Sequence, residues 1–221
     1  LRVFCTRSPT CILLREIYIG ALSTDDKATA MTLVEGMSLG PLRSSVTSRD
    51  MRGEPSPLNV NEAILIGTAN GVLLCLDSYQ ECALVMTQQI SKSVLECLKY
   101  RSSRHELIVI VKNSIASVIS IALVFKVPDM ELTHSIHCDN AFSCAGLSST
   151  RNYIIIGCKQ GSHQLFKLLD TTEEESIVLN LKRYNVELAN DDVMQSRHVE
   201  ILHQDSDHTA TVTGISFCDR L

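Results

Sequence analysis

Short apolar runs bounded by turn-forming residues recur along most of the chain. Ala63-Ile64-Leu65-Ile66, Leu107 to Val111 and Tyr153 to Ile156 are such runs, rich in β-branched residues. Their length and borders predict strands. No long stretch carries the three-to-four-residue periodicity of an amphipathic helix. Many short strands without helices predict an all-β fold: a sandwich, a barrel or a propeller.

A repeat separates these possibilities. The best-formed unit spans Phe142 to Asp170. Phe142, Ala145 and Leu147 alternate as a first strand, and seven residues after Leu147 comes Ile154, opening a second. A turn at Lys159-Gln160-Gly161 follows, and Phe166 lies five residues beyond Gly161. The preceding stretch repeats the step: Leu95, Leu98 and Tyr100 alternate, and Leu107 lies seven residues after Tyr100. Its turn is placed at Asn113-Ser114, with Ile119 five residues on. Earlier still, Ile64 opens a strand, Asn70-Gly71 makes the turn and Leu76-Asp77 follows. The turn positions Gly71, Ser114 and Gly161 are then 43 and 47 residues apart, close to the ~40–45 residues of a four-stranded propeller blade. Inner strands are expected near 94–100, 141–147 and 211–217, with an outer strand at His198 to His203. Gly71 and Gly161 are expected in tight turns with positive φ.

These segments resemble blades of the WD-repeat β-propeller family. Gly67 to Asp77 is similar to the middle of such a blade, with Leu76-Asp77 where the family has Trp-Asp. Asp207-His208 and the residues to Phe217 are similar to the inter-blade Gly-His loop and the inner strand after it, with Val212 four residues after His208. Leu1 to Thr6 resembles the end of a third strand, with Phe4 in the Trp place. The resemblance implies that Phe166 and Leu76 fill the Trp position between adjacent sheets. It makes Gly71, Asp77, Gly161, Phe166, Asp207 and His208 the blade-structural residues. The departures are clear. The chain has no tryptophan, and Asn70, Asn113 and Gln160 replace the acidic turn residue. The family's hydrogen-bonded set of Asp, His, Ser or Thr, and Trp cannot form in full, so apolar packing between blades carries more of the stability.

The expected architecture is a partial propeller over 1–221, with about four to five blades of four antiparallel strands. Such a set cannot close a ring, so the chain is expected to be part of a longer protein. Two segments break the pattern. Ala30 to Gly36 is assigned to a second strand and turn, yet 37–61 reads as loop, with Gly40-Pro41 and Gly53-Glu54-Pro55-Ser56-Pro57. That segment is expected to be a degenerate or incompletely represented blade. The acidic segment 171–197, opening with Glu173-Glu174-Glu175, is expected as an insertion within a blade: a solvated loop, or a contact element on a rigid frame.

Of 221 residues, 45% are hydrophobic, enough for a sizeable core. A net charge of −5 argues against a phosphate-neutralising face and against nucleic-acid binding. No apolar run approaches the ~18 residues of a membrane span, so no membrane insertion is expected; the amino-terminal residues carry no signal-peptide pattern. Nine cysteines, none in a C-x-x-C pair, sit mostly in strand-like runs. They indicate a reducing compartment rather than a disulfide framework.

Candidate chemistry is sparse. His134, His137, Cys138 and Cys144 are the one group suggestive of a metal, but their spacing does not match paired zinc ligands. His198, His203 and His208 offer a base without a placed nucleophile. The basic cluster Arg101-Ser102-Ser103-Arg104-His105 reads as a solvated loop, or as a patch for an acidic partner. No catalytic, cofactor or metal site is assigned, and no cofactor is expected. The expected function is a non-catalytic scaffold binding other proteins of a larger complex. The expected setting is the cytoplasm, with the resemblance suggesting a cytoskeletal or ciliary axonemal assembly. The alternatives are an adaptor in a membrane-coat or ubiquitin-ligase complex and, further off, a propeller enzyme.

Overall fold

The computed structural model describes residues 2–5, 12–16, 26–39, 58–77, 84–112, 120–127, 129–138, 140–170, 172, 198–206 and 208–218. Strands β1 (Arg2–Cys5) and β2 (Ile12–Glu16) pair in an antiparallel two-stranded sheet. Three four-stranded sheets follow, each a simple antiparallel meander. The first blade contains β3 (Ala28–Leu39), β4 (Leu58–Thr68), β5 (Val72–Asp77) and β6 (Leu84–Gln89). The second contains β7 (Leu95–Arg101), β8 (Glu106–Lys112), β9 (Ser120–Lys126) and β10 (Glu131–Cys138). The third contains β11 (Phe142–Leu147), β12 (Tyr153–Cys158), β13 (His163–Leu168) and β14 (Val199–Asp205). First strands lie against one another, β3 on β7 and β7 on β11, whereas the fourth strands β10 and β14 barely meet. Sheets that converge at their first strands and splay at their fourth form a partial β-propeller.

The second blade shows why the strands read as nearly continuous apolar runs. Along β8, Leu107, Val109 and Val111 face the first blade, and Ile108 and Ile110 face the third. Along β9, Ile121, Leu123 and Phe125 face the first blade, and Ala122 and Val124 the third. Both faces are covered, so both alternating sets are apolar. The outer strand β14 has exposed or half-buried residues along its whole length.

Pairing places Tyr100 opposite Leu107 and Leu147 opposite Ile154, the seven-residue step of the sequence. In the first blade Leu33 holds that rung opposite Ile64. Ala28–Leu39 is therefore the first strand of this blade, a correction to the second-strand assignment of Ala30 to Gly36. Periodicity identified a strand, but its partner lies beyond the intervening residues 40–57. The ends of the 37–61 segment belong to the sheet, with Met37 opposite Val60 and Leu39 opposite Leu58; residues 40–57 lie outside the described residues. So does 171–197 apart from Thr172, between β13 and β14.

The second blade needs another correction. Ile64 pairs with Leu76, Leu107 with Phe125 and Ile154 with Phe166. Phe125, not Ile119, is the counterpart of Leu76 and Phe166, and the true intervals are 49 and 41 residues. Asn113, Ser114 and Ile119 lie outside the described residues. A turn-based count fails here because β8 and β9 are joined through 113–119, a longer connection than the tight turns of the other blades. A third correction concerns 211–217: the expected inner strand is present as backbone, but it joins no ladder among the described strands.

Phe125 and Phe166 are fully buried and Leu76 nearly so. Phe166 packs between the second and third blades, with Ile108, Val124 and Ile136 across the seam. Truncating Phe166 or Phe125 to Ala is expected to cost about 3–5 kcal/mol. Ile201→Ala, on the exposed outer strand, should stay within about 0.5 kcal/mol. Denaturant midpoints measure all three, and a wild-type midpoint for either phenylalanine variant would refute the register.

Candidate interaction surface

Polar side chains in this fold concentrate at the seams between blades. In every blade the ladder skips the second residue of the first strand: Thr29, Glu96 or Ser143. Such a bulge turns the residue out of the sheet. The Thr29 hydroxyl is shared between Gly67 O of its own blade, at 3.1 Å, and Leu95 O of the next, at 2.6 Å. The Ser143 hydroxyl is shared between Gly157 O at 3.0 Å and Val212 O at 2.6 Å. Val212 thus occupies the place of Leu95, and residues 211–217 lie on the third blade as a following first strand would. Val212 N also donates to Cys158 O at 3.1 Å. Gly157 faces Val212 so closely that a Cβ there would collide with its side chain. Glu96 bonds instead to Lys159 Nζ across the seam, at 2.8 Å.

Gly71 and Gly161 sit in tight turns with φ of +77° and +91°, and their amides donate to Thr68 O and Cys158 O. The connection to the next blade passes directly over them. A side chain on Gly71 would overlap the carbonyls of Ser91 and Ser93, and one on Gly161 those of His208 and Ala210. His208 is thus in the inter-blade loop with its side chain exposed, and Ser91 holds the same place two seams earlier. Asp207 lies outside the described residues. Asp77 is buried at the end of β5. At the turn of the first blade, Asn70 N donates to Asp26 Oδ1 at 3.0 Å.

The basic cluster is not a solvated loop throughout. Arg101 is buried and joins the second blade to the third. Its guanidinium donates to Ser148 O at 3.1 Å and Arg151 O at 2.6 Å, and pairs with buried Glu106. Ser103 donates to Ser149 O of the same turn. Arg104 lies 3.5 Å from Glu106 and 3.9 Å from Asp170. His105 caps the 3-10 turn Ser102–Arg104 in a left-handed conformation, with Nδ1 2.9 Å from the Tyr100 hydroxyl. Sequence reasoning missed this clamp. Its signal was an Arg and a Glu five residues apart across a strand connection, where they form one rung, Arg101 opposite Glu106.

The residues considered for a metal are dispersed: His134 and His137 on the outer strand β10, and Cys144 on the inner strand of the next blade, bonding to Val212 O at 3.3 Å. Among the described residues no group of three or more His, Cys, Asp or Glu is placed to hold a metal ion. His198 meets His134 edge-on, and His203 lies 3.8 Å from Asp205 and beside His163. Burial, then the Asp77 charge, pushes the Cys75 thiol up to about 12, and burial raises that of Cys97. Both thiols are kept in the unreactive protonated form. No helix among the described residues is long and apolar enough to cross a membrane.

Among the described residues, large apolar side chains reach solvent at Leu84 and Leu169 and, more fully, at two pairs. Met31 and Leu33 on β3 are 58% and 48% exposed, and Ile201 and Leu202 on β14 are 55% and 42% exposed. The first pair lies on a first strand and the second on a fourth.

No protein-family model matches the sequence, and no curated protein is significantly similar to it. Solved structures similar to the chain include the β-propeller domain of Myceliophteria thermophila Cps50 (Swd1), at 13% identity and TM-score 0.45, covering 75% of this chain and 49% of that one. A chain of a mitotic checkpoint complex matches at 12% identity and TM-score 0.47, covering 71% and 38%. Saccharomyces cerevisiae Sqt1 matches at 10% identity and TM-score 0.46, covering 76% and 40%. The chain spans half or less of the length of each.

The clamp yields a test. Arg101→Met leaves buried Glu106 with the partly exposed Arg104, 3.5 Å away, as its remaining cation and should cost about 3 kcal/mol, while pairing it with Glu106→Leu should recover much of that loss. Thermal or denaturant unfolding of the single and double variants measures the difference. A double-variant loss equal to the sum of the two single losses would mean that the two side chains act independently.

Proposed function

We propose that this partial propeller is a non-catalytic scaffold that binds other proteins. One observation carries the reading: the polar groups with chemical potential are engaged between blades, while apolar side chains stand at the first and fourth strands. Arg101, Thr29 and Ser143 bond across seams. Ile201 and Leu202 remain in solvent. Protein recognition uses such apolar anchors within a polar surround and needs no group activated for reaction. The blades resemble WD repeats that have lost their tryptophan, and that resemblance supports a structural part in a large cytoplasmic, cytoskeletal or ciliary assembly.

Crosslinking the chain to its partners in extract, with their identification, tests both levels. Replacing Ile201 and Leu202 by Asp together should lower partner recovery by about tenfold or more, the ~1.4 kcal/mol or greater loss expected of anchor residues. The unfolding midpoint should barely change. Undiminished recovery with the double variant removes these residues from the interface. Recovery of coat or ubiquitin-ligase subunits in place of cytoskeletal proteins would overturn the assembly assignment, and substrate turnover by the purified chain would overturn the scaffold.

A further inference from the structure

We draw no further inference here: the strongest candidate, the apolar patch on the first strand of the first blade where Met31 and Leu33 stand exposed, carries nothing, because nothing in the structure shows what covers it.

Discussion

Each blade of this protein presents two apolar faces, and such a sheet is stable only when both are covered. The second blade embodies the constraint: on β8 and β9, odd positions pack on one neighbour and even positions on the other. Burial on both sides leaves the sheet interior no place for an unsatisfied polar group. Polar side chains are displaced to the seams, where a backbone carbonyl of the adjacent blade can meet them. Thr29, Ser143, Arg101 and His134 all follow this rule, each bonding to a main-chain oxygen of a neighbouring unit. Backbone acceptors exist whatever the neighbour's sequence, so the joints tolerate drift in side-chain identity.

That tolerance explains how the blades manage without tryptophan. The apolar position is filled by Leu76, Phe125 and Phe166 on equivalent rungs. Asp26 supplies a carboxylate to the turn at Asn70. The backbone of the inter-blade loop still crosses the turn glycine, by His208 in one seam and Ser91 in another.

What was legible in the sequence was local. The step from Tyr100 to Leu107 and from Leu147 to Ile154 spans a short strand connection, so counting residues finds the rung. Gly71 and Gly161 lie in two-strand turns with narrow backbone requirements, and Phe166 follows from the latter by register. Counting failed where a connection is long. Residues 40–57 separate β3 from its partner and hid that Ala28–Leu39 is a first strand, and 113–119 shifted the second blade from Phe125 to Ile119. The Arg101 clamp was hidden for a different reason. A basic residue in a polar run gives no sign of burial when its acceptors, the carbonyls of Ser148 and Arg151, carry no side-chain signature.

Residues 211–217 are held on the third blade by contacts that involve no ladder. The hydroxyl of Ser143, the carbonyl of Cys158 and the flat surface at Gly157 receive Val212. The first two are bonds to the Val212 main chain, so they survive a change of side chain at 212, whereas a Cβ at 157 would strike the Val212 side chain. The seam is therefore permissive on one of its walls and exacting on the other.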